Sequence, residues 1–215
     1  MQADHPPVYP GSPFIAMKTL QPDSAKFLFC DTDGDSVLNI RDSARSLGLQ
    51  DTDLRVAQAD GISTLADALS HLSNRDAQHT FAHIDPYDPY LQADNGMNSL
   101  DLFCALSQRG VKAMLWYGYE SHEYRNDLLA EVKRSLAIEA AAKRLWCGDI
   151  YLTVINNPNF NHNPGVLGCG IICSRLSERS VFMCEQLGAE LASIYRDALL
   201  PDAHSGAIHY GSISM

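Results

Sequence analysis

Short apolar runs alternate with longer stretches of helical periodicity along most of the chain. Six apolar runs predict buried strands, at residues 26–30, 54–58, 80–84, 111–117, 149–155 and 168–174. Apolar residues spaced three and four apart predict helices over 14–20, 35–47, 63–72, 99–109 and 120–146, and from 177 onwards. This order predicts an α/β fold with a Rossmann-like, doubly wound and mostly parallel sheet.

The last two predicted strands are connected differently from the others. Residues 156–164 between them are rich in Asn and Pro, which excludes a regular helix. A non-helical connection predicts a hairpin, and therefore one antiparallel C-terminal strand at the edge of the sheet. The Asn-rich loop 156–163 is either a substrate lid or a mobile connection.

The length and hydrophobic content predict one domain. The chain has 215 residues, of which 46% are hydrophobic, enough to bury a core of ordinary size. We expect a Pro-rich arm over residues 1–13, a domain over 14–200 and a polar tail over 201–215. Ser12 and Ser63 are the predicted N-caps of the two helices that follow them.

The charge and the cysteines narrow the class of protein. A net charge of −10 argues against a broadly basic nucleic-acid surface. None of the six Cys forms a CxxC pair, no signal peptide is recognised, and no apolar run reaches the length of a membrane span. We therefore expect a reduced, cytoplasmic protein.

The stretch after the third predicted strand carries the strongest candidate chemistry. The apolar run ends in Asp85, Pro86, Tyr87 and Asp88. Proline cannot continue a strand ladder, and the carboxyl edge of an α/β sheet is where ligands bind. Asp85 is therefore a candidate acceptor or base, and Tyr87 a candidate stacking group. The alternative is a strand that simply ends in a turn.

Two other strand ends contribute candidates. Asp31 follows the first apolar run, a position at which an acid binds ribose hydroxyls in Rossmann-like units. Trp116 and Tyr117 point to opposite faces of the fourth run, so that one of them is expected in the core. Tyr117 is nearer the carboxyl edge and is the better candidate for a substrate contact, while Trp146 is expected in the core.

Several motifs occur in a fixed order and carry a resemblance. They are Tyr9-Pro10-Gly11-Ser12-Pro13, Leu28-Phe29-Cys30-Asp31, Gln58-Ala59-Asp60-Gly61, His83-Ile84-Asp85-Pro86-Tyr87, Leu115-Trp116-Tyr117 and Gly165-Val166-Leu167-Gly168-Cys169-Gly170. The set resembles class I S-adenosylmethionine-dependent methyltransferases, in particular the bacterial family that methylates adenine N6 in large-subunit ribosomal RNA. The resemblance covers most of residues 8–175.

The resemblance implies S-adenosyl-L-methionine as cofactor and a role for each matching residue. Ser12 would approach the methionine end of the cofactor, and Asp31 would bind its ribose hydroxyls. Asp60 and Gly61 would flank the adenine. Asp85 and Pro86 would contact the cofactor, and Asp85 would also face the amine that receives the methyl group. Tyr87, Asp88 and Tyr117 would contact the substrate, and no metal is implied.

The chain departs from the family pattern in two places. The first strand and glycine-rich turn of the family are not found in residues 1–26; another segment or another chain supplies them, or cofactor binding is lost. The family's Asp-Pro-Pro-Tyr is Asp-Pro-Tyr-Asp here, which suits a smaller or cationic amine. Together with the negative net charge, this favours a small-molecule substrate over a nucleobase in RNA.

Two alternatives remain open at this point. The chain could be a methyltransferase-fold protein used as a binding subunit or for other chemistry, in a homodimer or with a partner chain. It could also be a metal-dependent hydrolase that uses Asp31, Asp33, Asp35, Asp85 and Asp88, although the sequence has no HxH or HExxH pair.

Overall fold

A computed structural model describes residues 10–20, 25–50, 52–136, 145–152, 166–196 and 208–214, with the side chains of residues 195 and 196 excepted. The chain divides into two compact units, residues 1–67 and 68–215. The helices are α1 (Gly11–Leu20), α2 (Gly34–Ser46), α3 (Gly61–His71), α4 (Asn74–Gln78), α5 (Ser99–Arg109), α6 (His122–Leu136) and α7 (Glu178–Arg196). The strands are β1 (Phe27–Asp31), β2 (Leu54–Gln58), β3 (Phe81–Ile84), β4 (Lys112–Tyr119), β5 (Leu145–Leu152), β6 (Gly168–Ser174) and β7 (Ile208–Ser214).

The first unit is built around a strand–helix–strand element. β1 and β2 pair in parallel, from Phe27 opposite Leu54 to Asp31 opposite Gln58. The connecting helix α2 is capped by Asp33, whose side chain accepts a hydrogen bond from Ser36 N. Met17 of α1 is fully buried in a core cluster with Phe27 and Ala44. The predicted strand, helix and strand over residues 26–58 are thus confirmed.

The second unit contains a five-stranded mixed sheet in the order β3-β4-β6-β5-β7. Only β3 and β4 pair in parallel, whereas β4–β6, β6–β5 and β5–β7 are antiparallel. The prediction of an α/β fold is confirmed, but the prediction of a mostly parallel sheet is wrong for this unit. β3 and β4 are joined through the helix α5, which provides the crossover connection that a parallel pair of neighbouring strands requires.

The predicted C-terminal hairpin is confirmed, but its place in the sheet differs from the prediction. β5 and β6 are antiparallel neighbours. However, β6 lies between β4 and β5 rather than at the edge. The edge position belongs to β7, which pairs with β5 and lies within the stretch that we expected to be a polar tail. The short, partly polar sequence of β7 gave no strand signal before its partner was known.

The boundary between the fifth predicted helix and the fifth predicted strand also needs correction. Within the described residues, the helix predicted over 120–146 is α6 (His122–Leu136), and β5 begins at Leu145, four residues before the predicted strand. Residues 137–144 and the Asn-rich loop 156–163 lie outside the described residues. Trp146 is 3% exposed, which confirms it as a core residue, although it lies in a strand rather than a helix.

The two faces of the five-stranded sheet differ in how well they are covered. Helices α5 and α6 pack together, and both contact β4. The face beneath them is closed: Ile84, Leu115, Tyr117, Tyr119 and Ile172 are all buried. On the opposite face, α7 packs on β5 and β7.

The remainder of that opposite face is less covered. There Met114, Trp116 and Ile171 are half-buried, and Phe81 is 51% exposed. No helix within the described ranges is long and apolar enough to cross a membrane.

The apolar spacing in α7 predicts that Val181, Cys184, Leu191 and Ile194 face inward, and the observed orientation of the helix differs. Val181 and Cys184 are half-buried, but Leu191 and Ile194 are exposed. Gly188 is buried instead, because the ring of Tyr210 from β7 packs against it and leaves no room for a Cβ atom. A glycine therefore determines which side of the helix packs on the sheet. Apolar periodicity does not reveal such a position.

Candidate ligand-binding strand ends

The carboxyl end of β1 presents Asp31 in a half-buried position. Its Oδ1 accepts a hydrogen bond of 2.9 Å from Asp33 N. The carboxylate is thereby held at the strand end, where the chain turns into α2. This placement is compatible with the predicted contact to ribose hydroxyls, which need an anchored carboxylate acceptor.

Asp60 and Gly61 lie at the carboxyl end of β2, where the Asp60 carboxylate caps a helix rather than remaining open to a ligand. Asp60 Oδ2 accepts from Ser63 N at 2.8 Å and Oδ1 accepts from Ile62 N at 3.3 Å. Although burial raises the pKa of Asp60, its hydrogen bonds with Ser63 and Ile62 lower it below the ordinary value overall. Asp60, not Ser63, therefore caps α3, and both of its oxygens are engaged.

Gly61 begins α3 beside the end of β1. A Cβ atom at this position would lie 3.5 Å from Cys30 Cβ, an ordinary van der Waals contact, so packing does not require glycine here. The ends of β1 and β2 are held together by the backbone, since Ala59 N donates to Asp31 O at 3.0 Å.

Ser12 lies in the first turn of α1 rather than at its N-cap. The helix begins at Gly11, whose φ of +68° is a left-handed conformation that favours glycine. Ser12 and Pro13 are both half-buried. The predicted helix is confirmed, with its start three residues earlier than expected.

The carboxyl end of β3 carries the Asp85 stretch in an accessible form. The strand ends at Ile84, directly before Asp85, as Pro86 predicts. Asp85 and Asp88 are exposed, Pro86 is half-buried, and Tyr87 is fully solvent-exposed at 101%. An exposed aromatic side chain beside two carboxylates is available for a ligand rather than for the core.

The loop after this stretch is anchored at both sides. Asp88 Oδ1 accepts from Tyr90 N at 2.8 Å, and Pro89 O accepts from Ser99 N at 3.2 Å. The loop then enters α5 through a reciprocal capping box between Asn98 and Asp101. The candidate residues are therefore carried on a braced loop.

Beside this loop, Tyr90 and Tyr124 form an edge-to-face pair with ring centroids 5.9 Å apart. The Tyr90 hydroxyl donates to Glu131 Oε2 at 3.2 Å. Burial, followed by the charge of Glu131, raises the pKa of Tyr90, and burial followed by the charges of Asp88 and Glu120 raises that of Tyr124. The surroundings of the loop are thus acidic and aromatic.

Tyr117 is not available to a substrate, which corrects its predicted role. It is 0% exposed, and its hydroxyl lies 3.0 Å from Cys147 Sγ. Burial is the main cause that raises the pKa of Tyr117. Trp116, on the other face, is half-buried. The two side chains alternate across the strand as expected, but the sequence does not show which face the helices cover.

The glycines of the predicted Gly-Cys-Gly motif serve packing in this structure. A Cβ atom on Gly168 would lie 2.5 Å from Tyr119 Oη, and one on Gly170 would lie 2.7 Å from Tyr117 Oη. Each glycine therefore makes room on β6 for a tyrosine of β4. The motif is explained by the β4–β6 contact without a ligand.

A buried ion pair was missed by the sequence analysis. Arg125 Nε of α6 donates to Asp149 Oδ2 of β5 at 2.6 Å, and Arg125 Nη2 contacts the same oxygen. Tyr119 Oη donates to Asp149 Oδ1 at 3.4 Å. Burial lowers the pKa of Arg125, but the hydrogen bond and charge of Asp149 outweigh it and raise the pKa overall. An acid within an apolar strand was the signal that could have revealed the pair.

Metal ligation finds no support in the part of the chain that the structure describes. No group of three or more His, Cys, Asp or Glu side chains there could hold a metal ion. In the first unit, the Asp33 carboxylate that the hydrolase hypothesis invokes is used as the cap of α2.

Comparisons with known proteins give a structural likeness only. No protein-family model matches the chain, and the curated proteins give no match. Among solved structures, the chain resembles the crystal structure of protein LPL1258 from Legionella pneumophila str. Philadelphia 1, of family model DUF519. The two share 17% identity and a TM-score of 0.62 over 96% of this chain and 66% of that one, so the chain spans about two thirds of the neighbour's length. This likeness bears on the fold alone.

Proposed function

We propose that the protein is an S-adenosylmethionine-dependent methyltransferase that acts on an amine nitrogen of a small molecule or nucleobase. One observation carries the proposal: Asp85 and Tyr87 are both solvent-accessible directly after a parallel strand of an α/β sheet. Two strand–helix–strand elements with parallel pairing, β1-α2-β2 and β3-α5-β4, support a Rossmann-like origin. The ordered motifs described above support the choice of chemistry.

Asp31 and Asp60 are proposed to contact the cofactor in different ways. Asp31 fits the ribose contact, because its carboxylate is fixed by Asp33 N and only half-buried. Asp60 would flank the adenine without donating or accepting through its carboxylate, since both carboxylate oxygens are engaged in capping α3. When bound, S-adenosylmethionine supplies an electrophilic methyl carbon.

Asp85 and Tyr87 are proposed to handle the acceptor amine. The Asp85 carboxylate would accept a hydrogen bond from the amine and take its proton as the nitrogen gains the methyl group, while the bond from sulfur to that methyl carbon breaks and S-adenosylhomocysteine leaves. The ring of Tyr87 would position the acceptor by stacking. Asp88 adds a second negative charge, and this favours a small or cationic amine over a nucleobase in RNA.

Calorimetric titration tests the cofactor site. S-adenosylmethionine and S-adenosylhomocysteine should bind the wild-type chain with micromolar affinity. Asp31→Ala should weaken binding at least tenfold, because each lost charge-assisted hydrogen bond is worth about 1.5–3 kcal/mol. Asp35→Ala, an exposed acid in the first turn of α2, is the matched control and should leave affinity unchanged. Absence of binding by the wild type at millimolar cofactor would reject the proposal for this chain.

A second function is favoured by the capping role of Asp60. With both carboxylate oxygens committed to α3, the adenine pocket loses a polar contact that the resemblance implies. The alternative is therefore a methyltransferase-fold protein that serves as a binding subunit or performs other chemistry. Cofactor binding in the titration above, followed by methyl transfer to an added amine, would exclude it.

The proposed partner is a second copy of this chain, which would associate through α7. Met183, Leu187, Leu191 and Ile194 form a stripe on this helix, each between 43% and 57% exposed. An antiparallel pairing centred on Leu187 would place Met183 of one copy against Leu191 of the other. Such symmetric self-complementarity is what a two-fold dimer requires.

Leu187→Glu tests this partner by light scattering after gel filtration. We expect a wild-type dimer and a monomeric variant, because the substitution places a charge at the centre of the apolar stripe. Ala189→Glu, at an exposed position on another side of the same helix, should remain dimeric. A wild-type chain that is monomeric at about 100 μM would rule out the self-association.

A further inference from the structure

A cavity in the first unit lies apart from the strand ends described above. It has a volume of about 320 Å³ and is lined by the second half of α2, the following turn and the start of β2. Its apolar lining includes Leu49 and Leu54, which pack on the core cluster of this unit. The volume falls in the range of small-ligand sites, which begin at roughly 300 Å³.

Three arginines surround this cavity in a protein whose net charge is −10. Arg41 and Arg45 lie four residues apart on α2, and Arg55 lies on β2. Arg41 Nη2 donates to Val56 O at 3.1 Å, which directs its side chain across the cavity toward β2. Arg45 Nη1 pairs with Asp42 Oδ1 at 2.5 Å.

The positive charge around the cavity is only partly neutralised. Asp42 pairs with one of the three guanidinium groups, and within the described ranges no carboxylate pairs with Arg41 or Arg55. Like charges four residues apart destabilise a helix by roughly 0.2–0.5 kcal/mol. An anion in the cavity would reduce this repulsion and engage guanidinium N–H donors that have no partner among the described residues.

We propose that this cavity binds a phosphate ester that carries a small apolar or aromatic group. Guanidinium groups bind phosphate through paired N–H donors, which the compact charge of a lysine cannot reproduce. The apolar floor formed by Leu49 and Leu54 would contact the organic group of the ester. The inference is independent of methyl transfer and assigns an anion-binding role to residues outside the candidate active site.

Phenyl phosphate is the probe, with phenol and inorganic phosphate as its two halves. The full chain is titrated by calorimetry, and the arginine Nε–H signals are followed in ¹H–¹⁵N NMR spectra. Phenyl phosphate should bind saturably and more tightly than either half, and it should shift the signals of Arg41 and Arg55. Arg55→Gln should weaken binding at least fivefold. Arg75→Gln removes an exposed charge from the second unit and should have no effect.

A further arm separates the two sources of a phosphate ester. A ten-nucleotide single-stranded RNA is added as a competitor. If it displaces phenyl phosphate from the wild type but not from Arg55→Gln, the ligand is a nucleic-acid phosphate. Binding of phenyl phosphate without competition would identify a free phosphorylated molecule. Thermal unfolding must show that Arg55→Gln remains folded, and Arg41→Gln serves as the second variant. Non-saturable binding, or equal losses in Arg55→Gln and Arg75→Gln, would overturn the proposal.

Discussion

At the scale of single residues, a few side chains determine how the sheet of the second unit is filled. Gly168 and Gly170 on β6 make room for the hydroxyl groups of Tyr119 and Tyr117 on β4. The hydroxyl of Tyr119 in turn reaches the ion pair of Arg125 and Asp149. Small and large residues thus face each other across neighbouring strands, which is how a dense core avoids voids.

Gly170→Ala should destabilise the protein by about 1–3 kcal/mol, the usual cost of overpacking. The added Cβ atom would lie 2.8 Å from Gly148 O, a backbone atom that cannot move aside cheaply. Urea unfolding measures the change. Gly211→Ala is the control, because its Cβ atom would meet nothing nearer than Asp149 Oδ1 at 3.7 Å. Equal stability of the two variants would contradict the packing argument.

Arg125→Met should destabilise the protein by about 3–5 kcal/mol, because it leaves the carboxylate of Asp149 buried and unpaired. Asp149 is 3% exposed. The double variant Arg125→Met/Asp149→Leu should be more stable than the sum of the two single losses predicts. Urea unfolding of all four proteins completes the cycle. Strict additivity would mean that the two charges do not interact.

At the scale of elements, helix ends are encoded locally and strand neighbours are not. The helix predicted over 99–109 is confirmed to the residue in α5, because its N-terminus has a capping box and its C-terminus has Gly110 at φ +96°. By contrast, β7 was predicted as a tail, since its pairing with β5 depends on a strand more than fifty residues earlier in the chain. Local signals therefore located α5, and only a distant partner defined β7.

Asn98→Ala should cost about 1 kcal/mol of stability, because it removes the side-chain acceptor for Asp101 N at the start of α5. Since this cap also anchors the loop that carries Asp85, the variant should raise the hydrogen-exchange rates of residues 85–98. Asn98→Ser retains a capping oxygen and should restore most of both properties. Unchanged exchange in Asn98→Ala would show that the cap does not brace the loop.

At the scale of the whole molecule, burial of thiols links stability to pH. Burial is the main cause that raises the pKa of Cys104 and Cys147 to about 11 and that of Cys173 to about 12, from an ordinary value of 9.0. The folded chain therefore keeps these protons at pH values where the unfolded chain has lost them. This contribution to stability is complete below pH 9 and is lost as the pH rises toward the folded-state values.

Between pH 9 and 11, the free energy of unfolding should fall by up to roughly 1.4 kcal/mol per pH unit for each of these thiols. Urea unfolding under reducing conditions at pH 8, 9, 10 and 11 measures the slope. Cys147→Ala should reduce the slope of unfolding free energy against pH by the contribution of one thiol, whatever the effect of the substitution on stability at pH 8. A flat profile, or a slope unaffected by this substitution, would contradict the linkage.

The sequence by itself determined the local features of this protein: the α/β alternation, the ends of α2 and α5, and the termination of β3 before Pro86. Each of these depends on residues within one or two helical turns, where capping groups and proline act directly. The tertiary structure decided the position of β6 inside the sheet, the pairing of β7, the burial of Tyr117 and the meeting of Arg125 with Asp149. These depend on which strands become neighbours and which face the helices cover, and a local signal such as the acid within β5 does not identify its distant partner.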